Sequence, residues 1–185
     1  TYAFANDYNA AQDGSYLHTP IPQIFTGIFE GLGNRISNFT IYNGTALDEE
    51  QIALFYELGS GGQISDVNLD DVSIEVWNGF AAPLVSINNG TVTHGFAGGT
   101  ITRPDGGGWN LDAAGLIYQN NGTITRSSAA VDLLNAGYGA AGLVISNAGT
   151  ISLSDASGYA SAWDAGGLVE YNTGVIVDSY ARGQV

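Results

Sequence analysis

The chain has 185 residues, of which 44% are apolar and 27 are Gly, and it contains neither Cys nor Met. Its net charge of −14, with four Arg and no Lys, excludes the cation clusters that phosphate backbones and anionic membrane surfaces require. No apolar run approaches the roughly 18 residues of a membrane span, and the absence of thiols leaves the redox compartment open.

Taken from the start, residues 1–44 are the least regular part, and the stretch from Asn6 to Pro22 reads as a loop thrown out of a first coil because it holds Asp13-Gly14, His18, Pro20 and Pro22. Phrases around Asn34 and Ile36, then Gly62 and Ile64, introduce a pattern that becomes strict downstream. Between them ALDEEQ, residues 46–51, is the densest acidic run. Adjacent carboxylates on a loop converge poorly on a metal, so it reads as a solvated corner with calcium as the lesser alternative. Asp66, Asp70 and Asp71 follow, and strand alternation points the last two to opposite faces.

From residue 84 a fixed frame recurs: Leu84, Asn88, Gly90, Val92; Leu116, Asn120, Gly122, Ile124; Leu143, Asn147, Gly149, Ile151; Leu168, Asn172, Gly174, Ile176. With Ile36 and Ile64 added, the Ile or Val column advances by 28, 28, 32, 27 and 25 residues, the signature of a repeat architecture. Gly is too frequent for helical repeats, and the runs between glycines are β-branched triplets such as Thr91-Val92-Thr93 and Val175-Ile176-Val177. Five residues beyond each column position stand Ile41, Leu69, Ala97, Ala129, Ala156 and Ala181, all apolar. Pro83 stands where a strand would begin, which implies an entry point or a bulge.

These signs predict an all-β protein, a right-handed single-stranded parallel β-helix of about six coils, with the hand taken from the general preference of parallel crossovers. Stacked coils would place Asn88, Asn120, Asn147 and Asn172 in a structural ladder, each amide donating to one neighbour and accepting from the other. The nearby glycines are expected to supply positive φ at that corner. The competing reading of the Asn-Gly pairs is hairpin turns. Asn-x-Thr sequons at Asn38, Asn43, Asn89 and Asn121 fit corner chemistry as well as glycosylation.

The phrases GGLVEYNTGVIVDSYARGQV, AGLVISNAGTISLSDASG and AGLIYQNNGTITRSS resemble the GLUG repeat of bacterial surface and secreted proteins. FTGIFEGLGNRISNFTIYN and TYAFANDYNA are similar to units of filamentous haemagglutinin-like exoproteins. The repeat's second glycine is replaced by Tyr118, Ile145 and Glu170. The resemblance implies one β-helical segment, 1–185, of a larger polypeptide, with an irregular first coil at 1–44 and GLUG-like coils at 45–185. It further implies a secreted or cell-surface adhesive rod, exported through an outer-membrane transporter, whose partners are host or neighbouring-cell glycans or proteins.

Enzyme signatures are not found: His18 and His94 lie 76 residues apart, carboxylates do not align from coil to coil, and no metal or cofactor motif stands out. The expectation is therefore no enzyme, no cofactor, no nucleic acid and no membrane insertion. Trp109, Tyr138 and Trp163, aromatics in excursions near carboxylates, are candidates for a glycan contact or covers of a core edge. The competing function is a carbohydrate-active or glycan-binding β-helix, a polysaccharide lyase or hydrolase, which a groove with converging acids and aromatics would favour. An ice-binding or calcium solenoid lacks its regular Thr array or Gly-Asp nonapeptide.

Overall fold

The computed structural model describes residues 1–43, 50–104 and 111–185, so Trp109 and most of the acidic run at 46–51 lie outside the described residues. The chain winds as a parallel β-solenoid of about six turns. One turn runs through Gly79–Ala81, Val85–Asn88, Thr91–Thr93 and Phe96–Thr102, and these strands define faces 1 to 4. Strands of successive turns pair in parallel, giving sheets of five, six, seven and eight strands on faces 1 to 4 among the described residues. Among the described residues no hairpin is formed by the Asn-Gly pairs at 78–79, 89–90 and 121–122, because the strands flanking each one belong to different faces.

Short strands rich in Val, Ile and Thr hold here because each buries one inward residue against identical positions above and below. Ile64, Val92, Ile124 and Ile151 stack in register on face 3 and are at most 1% exposed. Leu84, Leu116 and Leu143 are wholly buried at the entry to face 2, joined by the backbone bonds Leu84 N to Leu116 O and Leu116 N to Leu143 O. Burying each such side chain is worth about 1.5–3 kcal/mol. Pro83 sits in the connection between faces 1 and 2, outside any strand, where its carbonyl accepts from Leu54 N.

The earliest turns depart from the sequence expectation. Ile36 is not in the face 3 file: it lies on face 4 between Tyr8 and Leu69, and the residue paired with Ile64 is Phe29, itself next to Tyr2. Ile41 likewise pairs with Ile74 and not with the position of Leu69. The true steps into Ile64 and Phe29 are 35 and 27 residues, and an aromatic fills the aliphatic slot, so the periodic frame slides off register there.

Nor is the stretch from Asn6 to Pro22 an outlying loop. Tyr8–Asn9 pairs onto face 4, and a 3-10 helix over Ala10–Asp13 is capped by the Asn9 side chain, which accepts from Ala11 N at 3.1 Å. Ala10 is 2% exposed, within the core. Tyr8 Oη donates to Asp13 Oδ1 at 2.6 Å and Tyr16 Oη donates to the other oxygen. Those two donors hold the Asp13 carboxyl below its usual range, and the carboxylate pushes Tyr16 up to about 12. Behind this segment Phe25 and Phe29 each meet Phe55 at 5.4 Å between ring centroids, with Tyr2, Phe4 and Tyr8 linked around them.

Candidate functional site: polar ladders and an outer groove

The four predicted asparagines form a continuous ladder. Asn88 Nδ2 donates to Asn120 Oδ1 at 2.7 Å, Asn120 Nδ2 to Asn147 Oδ1 at 2.7 Å, and Asn147 Nδ2 to Asn172 Oδ1 at 2.6 Å. The first three are 0% exposed, where an unpaired amide would be costly. The open end of the ladder is closed locally, since Asn88 Oδ1 accepts from Gly90 N at 3.1 Å. An outer pair runs alongside, with Asn121 Nδ2 donating to Asn89 Oδ1 and Asn89 Nδ2 to Glu57 Oε1, both at 2.9 Å.

The glycines of the frame serve a different purpose from the one expected. Positive φ is confined to other residues, and a Cβ on Gly90, Gly122, Gly149 or Gly174 would stand 2.1–2.3 Å from the carbonyl oxygen of the equivalent glycine one turn back. Close approach of backbones, not left-handed geometry, requires Gly there. From Ile64 onward the left-handed corner comes two residues after each face 3 file residue, at Asp66, His94, Arg126, Leu153 and Asp178.

A second ladder, of serines, runs beside the first. Ser127, Ser154 and Ser179 stand three residues beyond Ile124, Ile151 and Ile176. Gly95 N donates to Ser127 Oγ, Ser127 N to Ser154 Oγ and Ser154 N to Ser179 Oγ, each at 3.1 Å, and each hydroxyl donates to a carbonyl two residues back. The repeated Ser was the available signal.

Of the glycan candidates, Tyr138 and Trp163 come to adjacent turns at the entry to face 1, tied by Asp164 N donating to Tyr138 O at 3.0 Å, and are 62% and 78% exposed. They border a groove. Outward residues diverge at a convex corner, yet here those of faces 1 and 2 converge: the Phe80 and Tyr118 ring centroids are 4.7 Å apart. Tyr118 also packs on Ala82, Ala114, Ala141 and Ile145, a cluster separate from the main core.

The face 1 file is Gln51, Phe80, Asp112, Gly139 and Asp164. The face 2 file follows the paired Phe55, Val85, Ile117, Val144 and Val169 by one residue, and so reads Tyr56, Ser86, Tyr118, Ile145 and Glu170. At one end Gln51 and Tyr56 line a hollow of about 300 Å³ with His18, Thr19 and Pro22. At the other, Glu170 reaches over Gly139, where a Cβ would meet its Oε2 at 2.4 Å and Asp112 Oδ1 at 3.2 Å. Burial pushes the Glu170 carboxyl up to about 7, helped by the charges of Asp112 and Asp164. Gln51 Oε1, Ser86 Oγ and Glu170 Oε2 are buried without a hydrogen-bond partner. Among the described residues no three His, Asp or Glu side chains converge as metal ligands.

No family model matches the chain, and neither a curated protein nor a solved structure matches it significantly.

Proposed function

We propose that the chain is a rigid rod segment of a large secreted or surface-anchored bacterial exoprotein, similar to the GLUG-repeat and haemagglutinin-like adhesins, which spaces and presents contact groups toward host or neighbouring cells. The observation that supports it most is the unbroken stacking along one axis, with buried amides paired from Asn88 to Asn172. Such a column resists bending because each turn is tied to the next by backbone, side chain and core at once. Export in this reading uses an outer-membrane transporter, and the acidic, lysine-free surface suits a solvated exoprotein.

Beads coated with the purified chain are expected to attach to cultured epithelial cells or to bacterial lawns above beads coated with an unrelated acidic protein. Attachment at the control level on every surface, with the β-sheet circular dichroism intact, would overturn the adhesive role.

A further inference from the structure

We propose that the groove between faces 1 and 2 binds a linear, uncharged oligosaccharide lying along the solenoid axis. This site is independent of the rod role and stands whether or not the chain is exported.

Shape comes first. The two files run side by side over five turns, a length of about 19 Å at the spacing of stacked strands. They meet on the outer surface, from the hollow beside Gln51 and Tyr56 to the approach of Glu170 over Gly139. A linear polymer fits such a trough, whereas a compact ligand would use one end only.

The lining matches a sugar in two ways. Sugar rings offer CH faces that pack on aromatics, and Tyr56, Phe80 and Tyr118 lie along the trough with Tyr138 and Trp163 exposed at its border. Sugar hydroxyls are donors, and the files carry acceptors that lack them. Gln51 Oε1, Ser86 Oγ and Glu170 Oε2, all in these two files, are buried without a hydrogen-bond partner. Buried polar atoms left unpaired mark places where a partner is missing.

Charge selects within the class. Asp112, Asp164 and Glu170 share one end of the trough, and the chain carries −14 overall. Uronate or sulfated chains would meet like charge there, at a cost that a neutral glycan avoids. Carboxylates serve neutral sugars well, since each oxygen accepts from a hydroxyl.

Titration calorimetry on the full chain, with cellohexaose, mannohexaose, maltohexaose and chitohexaose as probes and polygalacturonate and heparin as anionic controls, tests the proposal. Saturable binding of at least one neutral probe is expected. Measured about one pH unit above the Glu170 value of about 7, where its carboxylate is ionised, Glu170→Gln and Tyr118→Ala should each weaken it about tenfold, the loss of one hydrogen bond to a charged group or one ring contact. Tyr180→Ala, on face 4, should leave it unchanged. No binding of any neutral probe, binding of the anionic polymers alone, or binding indifferent to both groove substitutions would overturn it. Tyr118→Ala counts only if its circular dichroism matches the parent; Glu170→Gln, nearly isosteric, decides the matter otherwise.

Discussion

The same two corners of the coil are filled by different chemistry in the early and late turns. Where face 2 meets face 3, the file runs Phe25, Leu58, then Asn88, Asn120, Asn147 and Asn172. Where face 3 meets face 4 it runs Val67, Gly95, then Ser127, Ser154 and Ser179. Both files change from apolar or bare to polar along the axis. Aromatic volume supports the early turns, and its contacts are non-directional, so it tolerates the irregular 35-residue step into Ile64. Amide and hydroxyl ladders support the late turns, and they demand register: a one-residue slip would strand every donor in the file.

The largest effect is expected in the aromatic half. Phe55 is fully buried and touches both Phe25 and Phe29, so Phe55→Ala should cost about 3–5 kcal/mol, read from the urea midpoint at constant slope. In the ladder half, Asn120→Ala leaves Asn88 Nδ2 without its best acceptor and Asn147 Oδ1 without its donor, a cost of about 3 kcal/mol. Asn120→Leu sharpens the contrast. It copies the volume that Leu58 supplies two turns earlier, yet strands the same amides, and is expected to be no more stable than Asn120→Ala. A Leu variant as stable as the parent would reduce the ladder to space filling and erase the distinction between the halves.

What the sequence made legible follows the same division. The ladder half repeats identical residues at a constant frame, so the pairing of Asn88 through Asn172 follows from stacking alone. In the aromatic half the equivalent of Ile64 is Phe29, whereas Ile36 is the better chemical match at a spacing nearer the repeat, so the pattern alone points to the wrong residue. The left-handed corner hid because Asp66, His94, Arg126, Leu153 and Asp178 share a backbone conformation and no side-chain chemistry. The groove hid for the same reason: Gln51, Phe80, Asp112, Gly139 and Asp164 become neighbours only through register, and nothing in their types announces it.

Smaller effects test the backbone's part in the ladder half. Gly122→Ala places a methyl against Gly90 O and should cost about 1–3 kcal/mol by overpacking, whereas Gly33→Ala, in open space, feels only its positive φ. Ser154→Ala removes one acceptor for Ser127 N and should cost about 1 kcal/mol. Hydrogen exchange at the Ser127 amide should quicken in that variant while the Asn ladder stays protected, which separates the two corner files.

The smallest expected effect is a dependence on pH carried by Glu170. Its carboxyl is raised from an ordinary value of 4.5 to about 7, first by burial and then by Asp112 and Asp164. Between those values the folded chain holds a proton that the unfolded chain has released, so stability falls as pH rises through this window. The contribution is complete below about pH 4.5 and gone above about pH 7. Its size is modest because the side chain still reaches solvent, which screens the neighbouring charges. Asp13, lowered by its two tyrosine donors, acts in the opposite sense, adding stability that disappears as pH falls. The difference between the parent and Glu170→Gln isolates the first term: thermal midpoints of the two should diverge from pH 4.5 to 7 at fixed ionic strength, with the parent losing ground. Parallel curves would mean that Glu170 is solvated like any surface carboxylate, and the late turns would then owe their stability to the ladders and core alone.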